Sequence, residues 1–256
     1  LEKEVYNHLD NFYPSDDFIY NNDTHKNLKK YQNYRYQLNC LNAISNEKID
    51  PIWKLFIYYH SSHLFFKELI NIFGEHLTSF INISRKMEEK SKKFSELNIK
   101  FRTNDKSDSQ FADIVTDCQI GINTPTEKQS TVKGPHIDNI NEIYAGLFYF
   151  KNNNDNGIGG DLEIYDLNEE YENLVDFKNK IKPLPKKKIR TEKTYYIRKL
   201  EFEQSKIKKI KTIKYDKNQL VLFINNINSI HGVSPRKPNK ISRRLINIIG
   251  ECYYPN

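Results

Sequence analysis

From residue 50 onward the apolar positions fall at helical intervals. Trp53, Phe56, Ile57, Leu64, Phe65, Leu69, Ile72 and Phe73 recur at spacings that gather on one face of an α-helix. Asp50-Pro51 reads as the start, because a carboxylate caps free amides and proline suits the first turn. Gly74 ends this helix or breaks it before Leu77, Phe80 and Ile81 continue the pattern. Residues 1–50 are polar and rich in Asn and Tyr, with Phe12-Tyr13-Pro14-Ser15 and Tyr31, Tyr34 and Tyr36. They predict irregular structure with short elements, wrapped on the main body through the aromatics. A Lys/Glu-rich helix is expected over 85–93, running into a turn at Asn104-Asp105-Lys106-Ser107.

After residue 110 the pattern changes to short apolar runs of strand length. They cover 111–122, the surroundings of His136, 143–150, 159–165, 218–225 and 243–250. Asn123-Thr124-Pro125, the Asn- and Gly-rich 152–160 and a long charged segment separate them. Short strands with turn punctuation and little helix predict an antiparallel sandwich or jelly roll. The expected organisation is a polar, helical region at 1–110 packed on a mainly β core at 111–256. Within that core, 166–214 reads as a basic insertion.

Charge sharpens that last point. The net charge is +7, and residues 166–214 hold 15 Lys/Arg against 8 Asp/Glu, while the rest of the chain holds 25 of each. The whole excess therefore lies in the insertion. A solvated elaboration is the favoured reading, with Lys186, Lys187 and Lys188 exposed and Tyr195, Tyr196 and Phe202 packed underneath. A segment that tracks nucleic acid is the alternative. No apolar run reaches the 18 residues that would suggest a membrane-spanning helix, and no membrane partner is expected. Leu1-Glu2-Lys3-Glu4 shows no apolar leader core. Cys40, Cys118 and Cys252 are far apart with no CxxC, so free structural thiols and a cytoplasmic setting are expected.

The candidate chemistry lies in Gly134-Pro135-His136-Ile137-Asp138. Residues two apart on a strand leave the same face, so His136 and Asp138 offer an imidazole and a carboxylate side by side. The one histidine downstream is His231, in Ser229-Ile230-His231-Gly232-Val233. Two histidines and a carboxylate on one side of a divalent ion leave the other side open, as in non-haem Fe(II) enzymes that bind O2 and an organic co-substrate. His60 and His63 could share a helix face, but with no further ligand in view they read as packing or surface residues.

With these residues in place, about 111–251 resembles the 2-oxoglutarate- and Fe(II)-dependent dioxygenases, of the branch similar to prolyl 4-hydroxylases. The resemblance rests on an ordered set. It runs from His136-x-Asp138 through Leu147-Phe148-Tyr149-Phe150, Gly159-Gly160-Asp161-Leu162 and Leu222-Phe223-x-Asn225 to His231-Gly232-Val233-x-Pro235 and the strand of Arg243 and Arg244. It implies a double-stranded β-helix, a jelly roll braced by the helices of 51–97. It also implies His136, Asp138 and His231 as iron ligands, and 2-oxoglutarate and O2 as co-substrates.

In that family a basic residue on the last strand holds the far carboxylate of 2-oxoglutarate. Only one of two consecutive strand residues points inward. Arg243, with the apolar Ile246 three residues on, is preferred and Arg244 is the alternative. Gln119, Asn123 and Asn225 are candidates to orient the co-substrate. A carboxylate at Asp138 favours hydroxylation over halogenation. The expected substrate is a peptidyl (prolyl) or small-molecule C–H. A nucleic-acid dioxygenase and a non-enzymatic jelly-roll binding module are the competing classes, and a zinc hydrolase on the same ligands would need a general base that the sequence does not display.

Overall fold

The computed structural model describes residues 1–23, 30–79, 93, 96–102, 112–139, 142–168, 200–201, 204–226 and 228–252. The expected helix over 85–93, the turn at Asn104 to Ser107, and Lys186 to Lys188, Tyr195, Tyr196 and Phe202 of the insertion lie outside the described residues, apart from Lys93.

The first fifty residues are more regular than their composition suggests. Helix α1 (Lys3–Asn11) buries Tyr6 and Leu9, and α2 (Asp16–Asn22) is capped by Ser15, whose hydroxyl accepts from the Phe18 amide at 3.2 Å. Strand β1 (Arg35–Leu38) and helix α3 (Cys40–Ser45) follow. Asp50 caps α4 (Pro51–His60) as expected, its carboxylate accepting from Ile52 N at 2.9 Å. The apolar stripe beyond it belongs to a second helix rather than to one continuous element. Ser62 caps α5 (His63–Phe73) by accepting from Phe65 N, so the chain bends at Ser61-Ser62. Gly74 closes α5 at φ 53°, in the region where a side chain is strained.

Two sheets follow, mainly antiparallel. The larger has β1, β3 (Ile114–Asn123), β11 (Arg243–Cys252), β5 (Glu142–Tyr149) and β9 (Gln219–Ile224) in that order. β2 (Ile99–Phe101) joins it parallel to β3. Two strands from the first 110 residues thus share backbone hydrogen bonds with the β core. The smaller sheet runs β7 (Leu200–Glu201), β4 (His136–Ile137), β10 (His231–Val233), β6 (Leu162–Leu167) and β8 (Ile207–Ile213). The sheets face each other across Leu147, Tyr149 and Leu245 from one and Leu162, Ile164 and Ile213 from the other.

Alternation along the central strands decides what each face meets. Cys118, Ile120 and Ile122 of β3 and Ile246 and Ile248 of β11 are fully buried against Trp53, Phe56, Phe66 and Leu69 of the helices. Tyr6 and Trp53 pack on Phe150 at ring-centroid distances of 5.0 and 5.2 Å. The Tyr13 hydroxyl reaches the carbonyls of Gly121 and Leu245 at 2.7 and 3.0 Å, fastening the N-terminal segment to β3 and β11. Asp117, Gln119 and Asn123 of β3 and Arg243 and Asn247 of β11 point the other way, between the sheets.

The described part of the basic insertion ends in β8, at the edge of the smaller sheet. Lys208, Lys209 and Lys211 are exposed there, and Lys209 pairs with Glu163 at 2.8 Å. Lysines on an open edge discourage further strand pairing, which accounts for part of the charge excess. Cys40, Cys118 and Cys252 are buried thiols. Among the described residues no helix is long and apolar enough to cross a membrane.

Candidate metal centre

His136 and His231 are direct cross-strand partners, one on β4 and one on β10. Direct partners project to the same face, so both imidazoles enter the space between the sheets, with ring centroids 4.3 Å apart. Asp138 follows β4 and completes the group. One ligand atom from each of the three residues lies within 4.8 Å of the others, and this is the one such cluster among the described residues.

Each histidine is oriented from behind. His136 Nδ1 lies 2.7 Å from the Gly134 carbonyl and His231 Nδ1 lies 2.9 Å from the Ser229 carbonyl. A carbonyl only accepts, so both Nδ1 atoms carry the proton, a tautomer assigned from the hydrogen bonding. In a neutral ring Nε2 then presents a lone pair. Both Nε2 atoms face the Asp138 carboxylate, at 3.2 Å from Oδ1 and 3.3 Å from Oδ2. Burial lowers the His136 pKa to about 4, against the hydrogen bond to Asp138, which raises it. Two imidazole nitrogens and a carboxylate turned toward one another are a set that could hold a metal ion.

The spacing agrees. With bonds of about 2.1 Å, neighbouring donors stand about 3.0 Å apart in an octahedral shell and about 3.4 Å in a tetrahedral one. Burial works against the charge on Asp138, but hydrogen bonds with His136 and His231 and the nearby Lys133 ammonium hold its carboxyl far below the usual carboxylate range. Phe223 packs edge-on against His231 at 4.8 Å. Asn225 is spent on scaffold: its Nδ2 donates to the Asn139 and Glu142 carbonyls at 2.8 and 3.0 Å, and its Oδ1 accepts from Ser229 at 3.2 Å. It ties the loop after Asp138 to the loop before His231, which leaves it no free group for a co-substrate. Gln119 and Asn123 do face the interior. Gln119 bonds Asp117 and Asn247, and Asn123 accepts from Arg35.

The two arginines separate as the strand alternation requires. Arg244 faces the helices, reaching Asp10 at 3.4 Å and lying over the Tyr13 ring at 5.1 Å. Arg243 faces the space between the sheets, buried over the Tyr215 ring at 4.2 Å. Its terminal nitrogens donate to the carbonyls of Gly159 and Gly160, and its Nε lies 3.9 Å from Asp155. Gly159 and Gly160 have φ of 79° and 75°, and a Cβ on either would strike the Pro235 carbonyl or the Arg243 guanidinium. The Gly-Gly pair exists so that this turn can close on the arginine.

Among the described residues His60 and His63 form no second centre: His60 Nδ1 bonds the Phe56 carbonyl at 2.8 Å, and His63 begins α5. Three polar groups near the centre had no sequence signal. Lys133 reaches Asp138 Oδ1 at 2.8 Å. Glu142, on β5, has its pKa raised to about 8 by burial, with Asp138 and Glu251 as neighbouring negative charges. Arg35 enters the interior from β1, in a stretch whose composition reads as loop. No family model matches this chain, and no curated protein matches it.

Proposed function

We propose that the two sheets form a double-stranded β-helix and that the protein is a 2-oxoglutarate- and Fe(II)-dependent dioxygenase that hydroxylates a C–H bond of a peptidyl or small-molecule substrate. The observation that carries the reading is the convergence of two Nε2 lone pairs and one carboxylate on a single interior point. A donor set of two imidazoles and a carboxylate on one side suits a first-row divalent ion with open positions. Fe(II) there, with 2-oxoglutarate and O2, supplies oxidative decarboxylation to succinate and CO2 coupled to hydroxylation.

The chain's own contribution is placement and shielding. The Gly134 and Ser229 carbonyls fix both imidazoles with Nε2 forward, and such partners behind a ligating histidine raise its basicity. Asn225 holds the two ligand-bearing loops at a fixed separation. Leu147, Leu162 and Leu245 close the interior on one side with apolar surface, which keeps bulk water from a reactive centre.

The test is succinate formation from 2-oxoglutarate with Fe(II) in air, across a panel of prolyl peptides, amino acids, sugars and nucleotides. Wild-type protein should produce succinate, and His231→Ala and Asp138→Ala should lose more than about 100-fold, beyond what changes behind a ligand cost. Equal traces from wild type and both variants across the panel would refute the reading.

A further inference from the structure

Asp138 is the one member of the group that lies outside a strand. His136 belongs to β4 and His231 to β10, but β4 ends at Ile137, and among the described residues Asp138 has no ladder partner. A carboxylate beyond the end of a strand turns about its own torsions unless another group fixes it. Lys133 does so: its Nζ donates to Asp138 Oδ1 at 2.8 Å.

The lysine is in turn anchored beside the second histidine. Its carbonyl accepts from the Val233 amide at 3.0 Å, two residues past His231, and its own amide donates to the Thr131 hydroxyl at 3.3 Å. With its backbone on β10 and its ammonium on the residue after β4, Lys133 ties the carboxylate to the frame that carries both imidazoles. This is not an ordinary surface pair. The Lys133 side chain is 29% exposed, against 51% for Lys209 and 77% for Lys214 in their pairs with Glu163 and Asp161. Drawing a lysine that far from water costs rotamer freedom and hydration.

The two oxygens of Asp138 are therefore unequal. Oδ1 carries the ammonium and lies 3.2 Å from His136 Nε2, while Oδ2 lies 3.3 Å from His231 Nε2. A divalent ion bound to Oδ1 would stand within about 5 Å of the ammonium, where the two cations repel. Bound to Oδ2, it has the carboxylate between itself and the lysine.

We propose that Lys133 is a positioning residue of the centre: by holding Oδ1 it presents Oδ2 alone to the ion, and so keeps open the position that a chelating carboxylate would take. This role rests on the reading that His136, Asp138 and His231 hold a divalent ion. Carboxylates bind such ions through one oxygen or through both. Three protein donors leave about three of six positions for exchangeable ligands, and a fourth would leave about two.

The experiment counts the waters on Mn(II) bound to the protein, from the magnetic coupling of the ion to isotopically labelled water. Wild type should hold about three and Lys133→Met about two, because the released Oδ1 closes on the ion. Lys133→Arg should restore the wild-type number, since a guanidinium donates to the same oxygen. A lysine that only stabilises the fold would change how much Mn(II) is bound, not the waters on each ion. If Lys133→Met does not fold, a crystal structure of wild type with Mn(II) carries the test, with Oδ2 on the ion and Nζ still on Oδ1 as the expected result. An equal water count in wild type and Lys133→Met, or both Asp138 oxygens on the ion in that crystal structure, overturns the role of Lys133 and leaves the metal reading standing. Wild-type protein that binds no Mn(II) overturns the metal reading itself, and the role of Lys133 falls with it.

Discussion

The two faces of β3 and β11 are built from the same strands and do opposite work. Toward the helices they present Cys118, Ile120, Ile122, Ile246 and Ile248, all fully buried among aromatics. Toward the smaller sheet they present Asp117, Gln119, Asn123, Arg243 and Asn247. β3 is buried along its whole length, yet four of its ten residues, Thr116, Asp117, Gln119 and Asn123, are polar. Stability is concentrated on one face, and the hydrogen-bonding groups that can meet a ligand on the other. The division lets the interior stay polar without the fold depending on it.

Substitutions on each face should therefore differ in what they damage. The largest effect is expected from Ile248→Ala on the helix side, about 2–5 kcal/mol of unfolding free energy for a buried large-to-small change. Chemical denaturation measures it, and Mn(II) affinity of the folded fraction should stay the same. Loss of metal affinity at unchanged stability would show that the faces are not separable.

A smaller, pH-dependent effect is expected from Glu142→Gln on the interior side. The Glu142 pKa is raised from 4.5 to about 8, so the folded protein binds more protons than the unfolded one between those values. Its stabilising contribution is full below about pH 4.5 and is lost as pH rises through about 8. In metal-free protein the glutamine variant should gain on wild type from pH 5 to pH 9, by about 5 °C in melting temperature. A constant difference across that range would mean that Glu142 ionises normally. The smallest effect belongs to neither face: Lys209→Gln on the open edge should change stability by less than about 0.5 kcal/mol, as exposed ion pairs do. A larger loss would give the basic edge a structural role.

The parts legible in the sequence were those whose signal is local. Strands β5, β9 and β11 are runs of apolar and β-branched residues, and His136-x-Asp138 needs only strand geometry to bring its side chains together. Ser62 carried a readable cap signal before Phe65, but the apolar stripe on either side hid the bend. β1 had no local signal, because Arg35-Tyr36-Gln37-Leu38 becomes a strand only by pairing with β3. Alternation required only that one of Arg243 and Arg244 point inward, and the preference for Arg243 rested on Ile246 three residues on. The engagement of Arg243 by Gly159 and Gly160 had no local signal, since it depends on a turn 83 residues away. Glu142 and Lys133 owe their closeness to Asp138 to the folding of one short loop.

The pairing of His136 with His231 has a consequence for the order in which the molecule assembles. β4 has two residues and β10 three, too little backbone to hold each other in isolation. The histidines are 95 positions apart in the chain (231 − 136). An ion that ligates both therefore closes a long loop, and it removes freedom from the unfolded chain as a covalent bridge across the same span would. Such a bridge is reversible and chemically selective. The chain would lock its smaller sheet only where the right cation is present, and a cell short of that cation would hold a population with β4 and β10 parted.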